Sequence, residues 1–232
     1  MQNTSLQHDQ PTQALIFDMD GTMIDSMPYH ARSWDVFAKR HGVQMDLAEL
    51  MRRTTGRTGT ECMGELFGCE MSYAEALPLV HEKEQIYREM FAAVFSEVRG
   101  FTAFYMAARA LGLKTCVGTA GDIHNVEFAL SHLKLPEPPD AITRGDMGLP
   151  GKPEPAIFLE AARAVSMPAN HSIVFEDAPL GIEAARRAGM RAVAICTTHS
   201  AGELAGDHVI ASVKNYDELM AQGFLQSLSI AV

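Results

Sequence analysis

Short apolar runs that alternate with helix-forming segments constrain the fold of this chain more than any other feature. The runs are ALIF (14–17), KTCVGT (114–119), AIT (141–143), SIVF (172–175), AVAIC (192–196) and HVIAS (208–212). Each run has the length of one strand, and the segments between the later runs carry apolar residues at helical spacing. This alternation predicts a parallel sheet that is covered by helices on both faces.

Capping residues predict where the helices of this sheet begin and end. Asp122 is expected to cap one helix, and Pro153 is expected to begin another. Gly189 is expected to end a third helix that covers Pro179–Ala188. Strands and helices together indicate a doubly wound α/β core of the Rossmann-like class.

The alternation is interrupted between residues 26 and 95, where only helix signals occur. One helix is expected over Tyr29–His41, and the capping patterns DLAE (46–49) and SYAE (72–75) open two more. Pro78 is expected to break or restart the last of these. We therefore predict a disordered tail (1–12), an α/β core (13–25 and 96–232) and a small all-helical cap domain (26–95) inserted after the first strand.

Composition excludes several classes of protein. The 232 residues carry 19 basic and 29 acidic side chains, a formal charge of −10 that argues against a general nucleic-acid binder. No apolar run reaches membrane-spanning length, and no signal segment opens the chain. The four cysteines lack metal-binding spacing and are expected to be reduced, small buried side chains of a cytoplasmic protein: Cys62, Cys69, Cys116 and Cys196. A monomer or small homo-oligomer is expected.

Polar side chains follow four of the predicted strands, at the edge where ligands bind in parallel sheets. Asp18, Asp20 and Thr22 follow the first strand, and Thr119 ends the second. The later strands are followed by three more polar side chains: Lys152, Glu176 and Asp177. The sequence therefore gathers carboxylates, a hydroxyl and an ammonium at one edge.

The Asp-x-Asp pair after the first strand needs a positive partner. Strand alternation points Asp18 and Asp20 to one side, and two like charges this close repel each other. Mg²⁺ and Lys152 would neutralise them and leave an ionised carboxylate as a nucleophile. A phosphoryl group suits such a site, because its transfer depends on positioning and charge neutralisation. Thr119 and backbone amides near Gly21 would donate to its oxygens.

Each of these features also has a plainer explanation. An Asp-x-Asp pair is common in turns, a lysine before proline commonly starts a solvated helix, and Glu-Asp before a helix is commonly a cap. These explanations lose force because all the features fall at consecutive strand ends.

Four segments resemble the ordered motifs of the haloacid dehalogenase-like hydrolases. They are DMDGT (18–22), VGT (117–119), GKPEP (151–155) and FEDAPLGIEAARRAGM (175–190). The resemblance extends from about Ala14 to Leu219. A helical insert directly after the first motif is similar to that of the β-phosphoglucomutases and small sugar-phosphate phosphatases.

The resemblance implies a role for each matching position. Asp18 would form an aspartyl-phosphate, and Asp20 would be the general acid and base. Thr119 and Lys152 would bind the phosphoryl group. The implied ligands of the cofactor, Mg²⁺, are Asp18, Asp20 through its backbone carbonyl, Asp177 and Glu176. The residues expected to contact the substrate are Thr22, His30, Arg57, Lys83 and Ala120.

The insert carries the residues expected to choose the substrate. His30 stands where mutases of this subgroup carry a cap histidine; a partly buried helix histidine beside the hinge is the alternative. Arg57 lies in a glycine-framed loop, TTGRTGTE (54–61), and would hold the far end of an anionic substrate together with Lys83. Arg52 and Arg53 fit a solvated helix face better. Mutases grip a second phosphate with an arginine at the position that Gly59 holds here.

Three functions remain open at this point. The favoured one is a Mg²⁺-dependent phosphatase of small phosphorylated metabolites, with sugar phosphates preferred, that acts through an aspartyl-phosphate. The first alternative is a β-phosphoglucomutase. The second is a non-catalytic binding or regulatory protein on the same fold, against which the intact acidic and basic set argues. The expected partner is a small phosphorylated substrate, and binding to nucleic acid or to membranes is not expected.

Overall fold

The computed structural model describes residues 11–44 and 46–228, and its core is a six-stranded parallel sheet in the order β3-β2-β1-β4-β5-β6. The strands are β1 (Ala14–Phe17), β2 (Lys114–Gly118), β3 (Ala141–Thr143), β4 (Ser172–Glu176), β5 (Arg191–Ile195) and β6 (Val209–Val213). All six apolar runs of the sequence form strands. The predicted doubly wound core is confirmed.

Helices follow the strands and also fill the insert. Those of the insert are α1 (Met27–Arg40), α2 (Leu47–Thr54), α3 (Gly59–Phe67) and α4 (Tyr73–Ala92). Those of the core are α5 (Phe101–Ala110), α6 (Ile123–Leu133), α7 (Ala156–Ala164), α8 (Pro179–Arg187), α9 (Tyr216–Ala221) and α10 (Phe224–Ser227). Asp122 caps α6 and left-handed Gly189 follows α8, as predicted.

The central strand β1 shows why the sheet is buried on both faces. Leu15 and Phe17 belong to one apolar cluster, whereas Ile16, between them, belongs to a second. The Phe17 ring contacts Phe101 edge to face, with ring centroids 5.4 Å apart, and lies 4.7 Å from the Phe175 ring. A strand packed in this way cannot shift by one residue without exchanging its two faces.

The register of β1 brings the strand ends to one level. Phe17 pairs with Val117 of β2 and with Phe175 of β4, and the Asp18 N–H donates to the Phe175 carbonyl at 3.0 Å. The residues that follow these strands therefore emerge side by side, about 5 Å apart. This edge carries the polar residues that the sequence identified.

Helices α1 to α4 share an apolar cluster of their own. Trp34 and Phe37 of α1 pack there with Met63 of α3 and Val80 of α4. The later part of α4 also adds Tyr87 and Phe91 to one cluster of the sheet. Asp46 and Ser72 cap α2 and α4 as predicted. These helices occupy the range assigned to the cap, and the division of the chain into domains stays a prediction.

Two local features of the insert differ from the sequence prediction. Helix α3 was not predicted, because glycines suggested a loop; Thr58 and Glu61 form the capping box that opens it. Pro78 was expected to break a helix but lies inside the continuous α4. The capping box at Ser72 and the packing of α4 against α1 and α3 outweigh the hydrogen bond that proline cannot donate.

Two boundaries in the core also differ from expectation. Pro153 does not begin a helix: a turn closed from the Glu154 N–H to the Gly151 carbonyl precedes α7. Thr12, counted with the tail, is fully buried and accepts a hydrogen bond from Arg191 at 2.8 Å. Residues 1–10 of the expected tail lie outside the described residues.

The two crossings between core and insert run side by side as a short ribbon. Ile24 forms an antiparallel bridge with Glu97, and the Asp25 N–H donates to the Ser96 carbonyl at 3.0 Å. We call residues 23–25 and 96–98 the hinge ribbon.

In the described ranges, no helix has the length and apolar content needed to cross a membrane.

Cys62 and Cys116 are buried, as expected, and burial raises the pKa of each thiol to about 12. The expectation of burial is wrong for Cys69, which is exposed, and Cys196 is half-buried.

Candidate active site

The centre of the site is a buried ion cluster that joins three strand ends. Nζ of Lys152 donates to Oδ1 of Asp18 at 2.5 Å and to Oε1 of Glu176 at 2.6 Å. All three side chains are buried. Burial alone would lower the pKa of Lys152, but the charges of Asp18 and Glu176 reverse this effect and raise it. The ammonium therefore stays charged behind the two carboxylates.

Three carboxylates crowd this cluster. Oxygens of Asp18, Glu176 and Asp177 all lie within 4.8 Å of one another. Burial raises the pKa of Asp18 to about 8; Lys152 opposes the shift and Glu176 adds to it. Burial, Glu176 and Asp18 raise the pKa of Asp177 well above its usual range. One ammonium does not balance three carboxylates, so the arrangement fits a divalent, oxygen-binding cation such as Mg²⁺.

Asp177 is held in place by the turn that follows β1. Gly21 has a φ of 77°, and a Cβ there would collide with the Asp177 carboxylate. The Thr198 hydroxyl donates to Oδ2 of Asp177 at 2.5 Å. Both oxygens of Glu176 already accept hydrogen bonds, one of them from the Ala178 N–H at 2.7 Å. Asp18 and Asp177 are therefore better placed than Glu176 as ligands of a metal ion.

Asp20 turns away from this cluster and contacts the insert. Its Oδ1 accepts from Ser26 at 2.7 Å, from His30 Nε2 at 3.0 Å and from the Tyr87 hydroxyl at 3.3 Å. Burial alone would raise the pKa of Asp20, but the interactions of its carboxylate with His30 and Ser26 outweigh burial, so the pKa is lowered. The Asp20 carboxylate does not join the three acidic groups that can share a metal ion.

His30 is held between Asp20 and Lys83. Nζ of Lys83 lies 2.8 Å from His30 Nδ1, and it also donates to Oε1 of Glu84 at 2.8 Å. Because an ammonium can only donate, Nδ1 accepts and the ring proton lies on Nε2, facing Asp20. His30 is buried, as the structural alternative predicts, and it contacts Asp20 and Lys83 through its two ring nitrogens. A contact of His30 with substrate stays a prediction.

Lys83 differs from the expectation of a cation that draws substrate inward. Its side chain is 2% exposed, and Nζ lies 4.8 Å from the centre of the Trp34 ring. The ammonium is engaged by His30 and Glu84, beneath the cleft rather than at its mouth. A direct contact of Lys83 with substrate stays a prediction.

A cleft between core and insert opens onto these groups. Of the residues predicted from sequence, it is lined by Asp18, Asp20, His30, Arg57, Lys83, Thr119, Ala120, Glu176 and Asp177. The Thr119 hydroxyl accepts from the Gly121 N–H at 3.0 Å. Two predicted residues do not line the cleft: Lys152 lies behind the carboxylates, and Thr22 is fully buried. The position of Thr22 does not favour the expected substrate contact, because the turn after β1 folds it inward.

Arg57 also belongs to the insert and lines the cleft. Its Nη1 lies 3.3 Å from Oε1 of Glu65, a long contact, and its side chain is 36% exposed. Its buried Nε has no hydrogen-bond partner among the described residues. Arg52 and Arg53 pair with Glu49 and Glu65 on the helix surface and do not line the cleft.

Sequence reasoning missed several residues that complete the site. They are Ser26, Glu84, Tyr87, Asn125 and Thr198. Thr198 carried a usable signal, because it follows the carboxyl end of a fifth strand. The others depend on how α1, α4 and α6 pack together, which no local pattern of the sequence predicts.

Comparison with known proteins places these motifs in context. A profile of haloacid dehalogenase-like hydrolases matches residues 12–189. A validoxylamine A 7'-phosphate phosphatase of Streptomyces hygroscopicus subsp. limoneus is 32% identical over 206 residues, covering 84% of this chain and 91% of that protein. A fructose-1-phosphate phosphatase of Escherichia coli (strain K12) is 32% identical over 182 residues, covering 77% of this chain and 94% of that protein. The resemblance drawn from the four motifs is confirmed.

One solved structure illustrates the shared fold. A β-phosphoglucomutase from Clostridium difficile superposes with a TM-score of 0.80 at 23% identity, covering 93% of this chain and 96% of that chain. At this level of identity the likeness extends to the fold alone.

The ion cluster predicts a large stability effect at Lys152. We expect Lys152→Met to lower the free energy of unfolding by about 3 kcal/mol or more, because Asp18 and Glu176 would stay buried without their counter-charge. Urea denaturation followed by circular dichroism measures the change. The matched control is Lys39→Met, which removes an exposed pair with Asp35 and should cost less than about 1 kcal/mol. Equal losses would contradict the assigned importance of the buried cluster.

Proposed function

Since the chain belongs to the haloacid dehalogenase-like hydrolases, we propose that it is a Mg²⁺-dependent phosphatase of small phosphorylated metabolites, sugar phosphates above all. The observation that carries this proposal is the pairing of two aspartates with different surroundings at one strand end. Asp18 lies against Lys152, whereas Asp20 lies against His30. These surroundings support attack by Asp18 and proton transfer by Asp20.

In the first step, Asp18 attacks phosphorus. Lys152 engages Oδ1 of Asp18, which leaves Oδ2 to form the new O–P bond while the bond from phosphorus to the alcohol oxygen breaks. Asp20 gives its proton to the departing alcohol. For this it must be protonated at the outset, and the negative charge of the nearby phosphoryl group favours that form.

In the second step, water replaces Asp18 at phosphorus. Asp20, now ionised, takes a proton from the water as its oxygen bonds to phosphorus, and the bond to Asp18 breaks. Free phosphate and the carboxylate of Asp18 result. His30 and Ser26 hold Oδ1 of Asp20, so Oδ2 is the atom left to exchange protons in both steps.

The acidic cluster would hold the metal ion. Asp18 and Asp177 would be its carboxylate ligands, and Glu176 would stand behind them with Lys152. When bound, Mg²⁺ supplies positive charge that neutralises the phosphoryl oxygens and lets Asp18 ionise. Thr119, at the end of β2, would donate to a phosphoryl oxygen.

A packing contact in the insert favours hydrolysis over phosphate transfer between sugar positions. A mutase must hold a second phosphate while the first reacts, and the resemblance places the required arginine at Gly59. A Cβ at Gly59 would lie 2.7 Å from Cγ1 of Val80. Helices α3 and α4 would have to separate to admit a larger side chain there. Arg57 supports a substrate with a polar or anionic far end but is a single, partly paired cation.

The nucleophile assignment is tested by Asp18→Asn. We expect turnover to fall at least about a thousandfold, because an amide cannot form the acyl-phosphate, while the fold is retained. Phosphate release from a panel of sugar phosphates, including fructose 1-phosphate, measures the effect. Asp35→Asn, on an exposed face of α1, is the control and should act like the parent. Activity of Asp18→Asn within tenfold of the parent would remove Asp18 from this role.

The metal assignment is tested by removing divalent ions. We expect EDTA to stop phosphate release and Mg²⁺ to restore it, whereas Ca²⁺ should restore it poorly because its larger, looser shell misplaces the phosphoryl oxygens. Mg²⁺ should also raise the unfolding temperature of the parent more than that of Asp177→Asn. Full activity in EDTA would overturn the metal assignment.

The distinction from a mutase is tested with β-glucose 1-phosphate. We expect free phosphate and glucose, or no reaction, with little glucose 6-phosphate even when a bisphosphate primer is added. The reason is that Gly59 offers no cation for a second phosphate. A coupled assay and chromatography measure how much free phosphate, glucose and glucose 6-phosphate are formed. Primer-dependent formation of glucose 6-phosphate that outpaces phosphate release would favour the mutase and make Arg57 the second-phosphate ligand.

A further inference from the structure

Asn125 joins the core to the insert through both ends of its side-chain amide. It lies near the start of α6, is 2% exposed, and accepts at Oδ1 from Arg88 Nη1 at 2.7 Å. Its Nδ2 donates to Oε2 of Glu84 at 2.7 Å. A guanidinium can only donate and an ionised carboxylate can only accept, so the orientation of the amide is fixed. Neither the four motifs nor the proposed reaction assigns Asn125 a role.

From Glu84 the hydrogen bonds continue to the proposed acid and base. The other oxygen of Glu84 accepts from Lys83, Lys83 donates to His30, and His30 donates to Asp20, over contacts of 2.8, 2.8 and 3.0 Å. These side chains are largely buried, and hydrogen bonds in such surroundings are strong and orient one another. Asn125 is therefore four hydrogen bonds from Oδ1 of Asp20.

On its other side Asn125 is tied to the phosphoryl-binding end of β2. Its N–H donates to Oδ1 of Asp122, the cap of α6, at 2.9 Å. The loop just before that cap is fixed by the hydrogen bond from Gly121 to Thr119. Asn125 thus moves with the core, whereas Glu84 and Arg88, one turn apart on α4, move with the insert.

We propose that Asn125 is a positioning residue that aligns Asp20 with the leaving oxygen only while the insert lies against the core. This inference rests on the proposed role of Asp20 in proton transfer. Without the Asn125 amide, the Glu84 carboxylate keeps a single strong hydrogen-bond donor, Lys83. Glu84 then draws the Lys83 ammonium away from His30. His30 then loses the contact that fixes its ring, and Asp20 loses a fixed hydrogen-bond donor. When the insert opens, the same chain is interrupted at Asn125, so proton transfer is confined to the closed arrangement.

The decisive variant is Asn125→Asp. It has nearly the same shape and keeps an acceptor for Arg88, but it turns an oxygen instead of an N–H toward Glu84. The readout is kcat/KM for two substrates, because this quantity includes only the steps through phosphoenzyme formation. The leaving group of fructose 1-phosphate is a sugar alkoxide that needs a proton, whereas the leaving group of p-nitrophenyl phosphate is a stable phenolate that does not.

We expect Asn125→Asp to lower kcat/KM for fructose 1-phosphate by about tenfold or more, a part of what general acid catalysis contributes, and for p-nitrophenyl phosphate by less than about threefold. Asn125→Ala should show the same selectivity. Gln85→Ala, an exposed position on α4, should leave both values unchanged. Equal losses on both substrates would mean that Asn125 only supports packing, and no loss would mean that it has no role; either result overturns the inference.

A second measurement separates this inference from the proposed function. If the parent hydrolyses neither of these substrates nor any sugar phosphate of the panel, the proposed function fails, and the hydrogen-bonded chain is then examined by ¹⁵N NMR of the His30 ring. Asn125→Asp should shift the ring nitrogens of His30, whereas Gln85→Ala should not. Unchanged ring shifts in Asn125→Asp would show that Asn125 does not act on His30.

Discussion

The hydrogen bonds of the Lys152 ammonium to Asp18 and Glu176 are the interaction on which the rest of the site depends. Taking three charges out of water costs several kcal/mol per ion, and only close pairing offsets this. Close pairing requires that the ends of β1 and β4 lie at one level, which the register of Phe17 with Phe175 provides. The aromatic packing beneath the sheet edge thus fixes the position of the charges above it.

Much of the core followed from the sequence because its signals are local. The carboxyl ends of parallel strands meet at one edge of the sheet, whatever the order of the strands. Asp18, Thr119 and the Glu176–Asp177 pair were therefore predictable from their positions at the ends of strands. Local signals failed where two of them competed. The glycines near Thr58 suggested a loop, although Thr58 also opens the capping box of α3. Pro78 suggested a break in α4, but the packing of this helix keeps it continuous.

The contacts of the insert could not be predicted for a different reason. Lys83 and His30 are 53 residues apart, and their contact depends on how α4 crosses α1. The sequence identified both residues but expected Lys83, together with Arg57, to hold the far end of an anionic substrate. Its burial became visible only when Trp34 and Glu84 were seen around it. In the proposed reaction the core therefore carries the nucleophile, and the insert carries the groups that orient the acid.

The hinge ribbon has a consequence for how the two parts move. A paired ribbon of two short strands bends across its plane more easily than it twists or stretches, because twisting strains the hydrogen bonds at both of its ends. In the closure proposed above, rotation of the insert would then be confined to essentially one coordinate, and every closure would return along the same arc. A side chain such as His30, only a few residues beyond the ribbon, would sweep a short distance on that arc. The tip of the insert would sweep a long one, so the proposed closure would combine access for the substrate with accuracy at Asp20 in a single motion.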